Sequence, residues 1–157
     1  MDARLNLFES PIAGRSLKHL IAAGRVVGDS TLPLATQELM RLRASQINGC
    51  GFCTDMHTKE AEAAGETHQR LHLVATWREA TVFTDAERAA LELTEESTRI
   101  ADAAGGVPDE VWANAAKHYD DEQLGAMVAL IAIINAFNRV NVITAQPAGD
   151  YRVGQFG

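Results

Sequence analysis

The chain has 157 residues, enough for a single domain with a buried core. Its 21 acidic and 14 basic side chains leave a formal net charge of -7, a balance that disfavours a grip on polyphosphate and sets nucleic acid aside as a partner. With 46% apolar and 22% charged residues, disorder and collagen-like structure are excluded, and two cysteines cannot build a disulfide-dense secreted scaffold.

The first residues, Met1-Asp2-Ala3-Arg4-Leu5-Asn6, show no basic stretch followed by an apolar run, so no secretory signal is expected and the cytoplasm is the expected compartment. From Pro11 to Gly28, Leu17, Leu20, Ile21, Gly24 and Val27 recur at steps of three and four, which predicts an amphipathic helix. Asp29-Ser30-Thr31 offers capping side chains for a second helix. Pro33 suits its first turn, and Asn48-Gly49 should end it. A third helix starts at Cys50 or Gly51, holds both cysteines in its first turn, and stops at Ala64-Gly65.

Thr67 to Ala75 and Trp77 to Ala80 read as short helical pieces. Thr84-Asp85-Ala86-Glu87 is a capping box heading a helix through Asp102, which Gly105-Gly106 terminates. Pro108-Asp109-Glu110 opens a helix to His118. Asp120 and Gln123 repeat the capping-box spacing before an apolar helix ending near Val142. Its most apolar run, Leu124 to Phe137, is shorter than the roughly 20 residues that cross a bilayer and reads as a buried helix, so no membrane partner is expected. It is apolar nearly all round, which points to self-association, and Asn135 and Asn138 on it should hydrogen-bond across an interface or to another helix's backbone. No segment alternates with period two, so the expectation is an all-α bundle, with residues 1–144 as one helical domain and 145–157 as a C-terminal tail.

Several reactive side chains share a spacing in one place, Asn48-Gly49-Cys50-Gly51-Phe52-Cys53-Thr54-Asp55-Met56-His57. Helical steps of three and seven put Cys50, Cys53 and His57 within an arc of about 60°, so all three can face one cleft. A thiol attacks only as thiolate, and a helix N-terminus and an imidazole both favour that form. Cys53, one turn before His57, is the expected attacking sulfur, with Cys50 resolving the sulfenic acid as a disulfide. Glu38, on the preceding helix, can fold back toward His57 as proton acceptor or orienting group.

Metal binding is the chief rival use of Glu38, Cys50, Cys53 and His57. Structural zinc ligands, however, usually sit on separate elements rather than along one helical turn, and no metal is expected. No Gly-x-Gly-x-x-Gly follows a predicted strand, so no nicotinamide or flavin cofactor is expected either. His68 and His72 lack the carboxylate spacing of a His-Glu-x-x-His site and read as surface residues, His19 and His118 have no evident partner, and Trp77 and Phe83 read as packing residues.

Glu38, Ser45-Gln46-Ile47-Asn48-Gly49-Cys50-Gly51-Phe52-Cys53 and His57 together resemble the alkylhydroperoxidase D-like group of the carboxymuconolactone decarboxylase superfamily. Trp77-Arg78-Glu79, Phe83 to Leu91 and Ile134-Asn135-Ala136-Phe137-Asn138-Arg139 are similar to the same group, so the likeness runs from about Leu5 to Thr144. The resemblance implies an all-helical oligomer, trimer or hexamer, and a thiol peroxidase reducing hydrogen peroxide or organic hydroperoxides. In its cycle the second cysteine attacks, the first resolves, and an external protein or small dithiol restores the pair. It carries Glu38, Cys50, Cys53 and His57 into those roles. The group's best-known members have a second histidine immediately before the attacking cysteine, and Phe52 stands there in this chain, so one member of the proton relay is missing. Two alternatives stay open: an acid–base enzyme on the same fold using Glu38 and His57 with the thiols incidental, and a non-enzymatic redox sensor or interaction module that only changes shape when its cysteines pair.

Overall fold

The computed structural model describes residues 2–156. Met1 and Gly157, the outer ends of the predicted domain and tail, lie outside the described residues. Among those described there is no strand; the order is α1 (Pro11–Gly28), α2 (Leu34–Ile47), α3 (Gly51–Ala63), α4 (His68–Leu73), a 3-10 turn (Val74–Thr76), α5 (Asp85–Thr98), α6 (Asp109–Ala115) and α7 (Asp121–Ile143). The all-α expectation therefore holds.

Helix starts follow their capping chemistry. Ser10 Oγ accepts the Ala13 N–H ahead of α1, and both capping boxes form, Thr84 with Glu87 on α5 and Asp120 with Gln123 on α7. The start of α2 departs from the expected cap: its N-cap is Pro33, without a side-chain bond, while Ser30 Oγ donates backward to Val27 O at 2.6 Å and closes α1. Helix ends are shorter than the sequence suggests where burial stops. α5 ends at Thr98 rather than Asp102, because beyond it Ile100 is exposed and helical continuation would bury nothing. α6 ends at Ala115 so that Tyr119 can turn inward and donate its hydroxyl to Ala86 O at 2.9 Å. Trp77 to Ala80 is not helical: the Arg88 guanidinium donates to the carbonyls of Trp77, Arg78 and Ala80, holding this stretch as turns.

α2 is the central element. Met40 and Ala44 enter a core built on Met127, Leu130, Ile131 and Ile134 of α7, whereas Leu39 and Leu42 enter a second core with Leu71, Val74, Trp77, Phe83 and Leu91. Each such fully buried aliphatic stabilises the fold by about 1.5–3 kcal/mol relative to exposure. A helix buried on both sides must also bury its polar residues, and Gln37, Glu38 and Ser45 are 5% exposed or less.

By length and mean hydropathy α7 would suffice to cross a membrane, and here it is the core helix, packed on α1, α2, α3 and α5. Asn135 and Asn138 bond within the chain: Asn48 Nδ2 donates to Oδ1 of both, at 2.9 Å each. The residues after α7 return to α3. Lys59 Nζ donates to the carbonyls of Gly149 (2.9 Å) and Tyr151 (3.0 Å), Asp55 accepts the Gly149 N–H at 3.0 Å, and Glu60 accepts the Gly154 N–H at 2.9 Å.

Candidate active site

The corner between α2 and α3 builds the site. Gly49 has a φ of 64°, the left-handed turn that glycine adopts without penalty, and the Cys50 N–H reaches back to Ser45 O at 2.9 Å. This reversal sets α3 against α2, which lays His57 beside Glu38: Nδ1 and Oε2 are 2.8 Å apart and both residues are buried. The second carboxylate oxygen, Oε1, accepts from Arg41 Nη1 at 2.5 Å, and Arg41 Nη2 donates to Gln37 Oε1 at 3.0 Å. Burial alone would push the Glu38 carboxyl up; the hydrogen bond and charge of His57, then Arg41, outweigh it and hold the group below its ordinary value. An ionised Glu38 accepts the Nδ1 hydrogen and leaves Nε2 of His57 as the nitrogen that can exchange a proton.

The cysteines are free thiols, buried, and in different positions relative to α3. Cys50 is the N-cap rather than a first-turn residue, and its Sγ accepts the Cys53 backbone N–H at 3.4 Å. Cys53 lies inside the helix and its Sγ accepts from Asn141 Nδ2 at 3.2 Å. The ionisations of the two sulfurs are linked. The hydrogen bond from the Cys53 thiol outweighs burial and, with the Cys53 backbone N–H, pulls Cys50 down to about 7, while that same bond and then burial push Cys53 well up. The pair thus takes one negative charge near neutral pH and resists a second.

A cavity of about 870 Å³ opens beside this pair. α1 contributes Leu17 and Ile21, α7 contributes Leu130, Ile134 and Phe137, and α3 contributes Phe52, Cys53, Met56 and His57. Cys50 and Glu38 do not line it. The two ends of the chain complete the wall: Phe8 stacks on Phe156 with centroids 6.0 Å apart, and Phe52 meets Phe156 and Tyr151 at 6.3 Å each. Phe52 is therefore an apolar wall residue at the position where the resemblance called for a histidine.

The structure thus puts Cys53 and His57 on one cavity wall, with Glu38 behind His57 and Cys50 behind Cys53. Sequence reasoning missed Arg41, three residues after Glu38 and so on its face of α2, and Asn141, which continues the three-residue spacing of Asn135 and Asn138. Among the described residues no three His, Cys, Asp or Glu side chains converge to hold a metal ion. His19, His72 and His118 are exposed, as is His68, which pairs with Glu62 at 3.1 Å, and Trp77 and Phe83 are core residues.

Comparison with known proteins shows the family and the fold. The profile of the carboxymuconolactone decarboxylase family matches residues 17–96, which span α2, α3 and most of α5. The chain belongs to that family. It is 38% identical over 142 residues to the uncharacterised protein YdfG of Bacillus subtilis, covering 90% of this chain and 94% of the relative. Among solved structures it is similar to a protein of unknown function from Agrobacterium tumefaciens, given as a candidate AhpD antioxidant-defence protein. That likeness has a TM-score of 0.88 and 34% identity, over 96% of this chain and all of the other. The debrominase Bmp8, solved with 2,3,4-tribromopyrrole, shares the fold at a TM-score of 0.77 and 18% identity, over 90% of this chain and 73% of Bmp8. The fold is that of the AhpD-like members of the superfamily.

Proposed function

We propose that the protein is a thiol-dependent peroxidase that reduces hydrogen peroxide or organic hydroperoxides at Cys53. The observation that carries this reading is the placement of Cys53 and His57 on one cavity wall, with Glu38 2.8 Å behind the imidazole. As the Cys53 proton crosses to Cys50, the negative charge moves to Cys53. The Cys53 sulfur attacks the terminal peroxide oxygen, an S–O bond forms and the O–O bond breaks. The departing alkoxide takes up the Cys50 proton, relayed through Nε2 of His57 while Glu38 fixes the ring. The Cys50 thiolate then attacks the Cys53 sulfenic acid, forming the disulfide and releasing hydroxide, which becomes water with a proton from solvent. A dithiol, protein or small molecule, restores the pair and is itself oxidised to a disulfide. One hydroperoxide and one dithiol thus yield an alcohol, water and a disulfide, and no bound cofactor enters. Re-reduction suits a cytoplasmic setting. Assembly into a trimer or hexamer, as the family resemblance implies, would cover exposed Ile12 and Val26 of α1 and Val128 and Ile143 of α7.

The test is peroxide consumption by the purified protein with a generic dithiol, beside Cys50→Ser and Cys53→Ser. Turnover that needs both sulfurs, and that rises as the pH passes about 7 where the pair takes its charge, supports the cycle; full turnover in Cys53→Ser with loss in Cys50→Ser reverses the order of attack. The Glu38–His57 pair can move a proton without any thiol, which favours a second reading as an acid–base enzyme of the kind the family's name describes. Activity on a lactone acid that survives replacement of both cysteines would select it. One equivalent of oxidation without turnover would instead select the redox sensor.

A further inference from the structure

The side-chain amide that meets the Cys53 sulfur comes from α7, outside the Cys-x-x-Cys motif. Asn135, Asn138 and Asn141 recur every three residues on this helix, yet their amides do different things. Asn138 Nδ2 donates to Ser45 Oγ at 3.1 Å and Asn135 Nδ2 to Ile131 O at 2.9 Å, and both carbonyl oxygens take the Asn48 amide. These two tie α7 to the α2–α3 corner. Asn141 directs its Nδ2 at Cys53 Sγ, 3.2 Å away, and lines the cavity beside that sulfur. A neutral thiol is a weak acceptor, while a thiolate is an anion whose hydrogen bonds are roughly twice as strong, so this contact favours the charged form. α7 is anchored to the α2–α3 corner at Asn135 and Asn138 independently of this contact, and Asn141 stands in its last turn.

We propose that Asn141 is a catalytic residue whose side-chain N–H stabilises the thiolate of Cys53, so that this buried sulfur can carry charge at the moment of attack. The assignment rests on the thiol-based reading of the site. The titratable groups that line the cavity with Cys53 are His57 from α3, Arg41 from α2, Arg25 from α1 and Asp29, the residue that closes α1, with Cys50 behind Cys53 and Glu38 behind His57. α7 itself offers Cys53 only amides. Burial and the bond to Cys50 oppose ionisation of Cys53, and Asn141 is the foremost group opposing them.

The test isolates one sulfur. In a Cys50→Ser background, the rate of Cys53 alkylation by iodoacetamide and the thiolate absorbance at 240 nm are followed against pH, with and without Asn141→Leu, and again with Asn141→Ala should the leucine variant fold poorly. Loss of one charge-assisted hydrogen bond should slow alkylation at pH 7 about tenfold and move the midpoint up by about one pH unit, while leaving the rate at the alkaline plateau unchanged. A midpoint that stays put in folded variants, or a plateau that falls while the midpoint is unchanged, would overturn the proposal in favour of a packing or access role. The readout does not depend on peroxide chemistry. A shifted midpoint in a protein without peroxide turnover would sink the peroxidase reading and leave Asn141's role intact, and the reverse pattern would do the opposite.

Discussion

Two buried glutamates, Glu38 on α2 and Glu95 on α5, are each 5% exposed and each held below the ordinary carboxyl value against the upward push of burial. Their partners differ in kind. Glu95 is enclosed by permanent donors: Arg43 Nε at 2.6 Å, Trp77 Nε1 at 3.0 Å and the Arg78 guanidinium, which also lies over the Trp77 ring at 4.4 Å. None of these exchanges a proton near neutral pH, so the cluster only fastens α2, α5 and the turn after α4. Glu38 has one such donor, Arg41, and spends its other oxygen on His57, which lines a cavity. A buried charge, therefore, is no sign of chemistry by itself. What separates the two is a titratable neighbour with access to a space a substrate can occupy.

The contrast breaks most sharply under matched substitutions. Glu38→Gln should reduce peroxide turnover by about 10²–10⁴-fold, the usual worth of a positioned proton relay, measured as kcat at saturating dithiol. Glu95→Gln should leave turnover per folded molecule unchanged and lower stability by about 3–5 kcal/mol in urea titration, because the mostly buried Arg43 loses its counter-charge, whereas Arg78 keeps Glu92 and Glu96. Equal losses of activity in both variants would erase the distinction. Acid sharpens it further. Both carboxyls are lowered on folding, so their stabilisation is complete above about pH 4.5 and is lost as the pH falls through the folded values. The urea midpoint of the native chain should therefore drop as the pH falls below about 4.5, and Glu95→Gln should show a shallower drop. Trp77→Phe, which removes one donor from Glu95 and keeps most of the ring, should cost the least, about 1.5–3 kcal/mol with no change in turnover.

Much of this was legible because the decisive signals are local. Gly49 marks the corner, Thr84 and Asp120 mark two helix starts, and the helical spacing of Cys53 and His57 puts both on the cavity wall, whereas Cys50, the N-cap, sits behind Cys53 instead of sharing that face. Glu38 was reachable only because a helix pair hinged at Asn48-Gly49 must run back on itself. The less legible parts depend on distant partners. Nothing near Trp77 announces that Arg88 will take its carbonyl, and nothing near Gly149 announces that Lys59, 90 residues earlier in the chain, will take another. Asn141 was overlooked for the same reason: an amide in the last turn of an apolar helix gains meaning only when α3 brings a sulfur to it.

Cys50 offers a last consequence. The lone pair with which it caps α3 belongs to the same atom that enters the disulfide, and a disulfide sulfur is a poorer acceptor than a thiolate. Helix initiation and redox state therefore draw on one atom. The amide hydrogen of Cys53 should exchange with solvent deuterium faster in the oxidised protein than in the reduced one, making the first turn of α3 a built-in reporter of how many electrons the site holds.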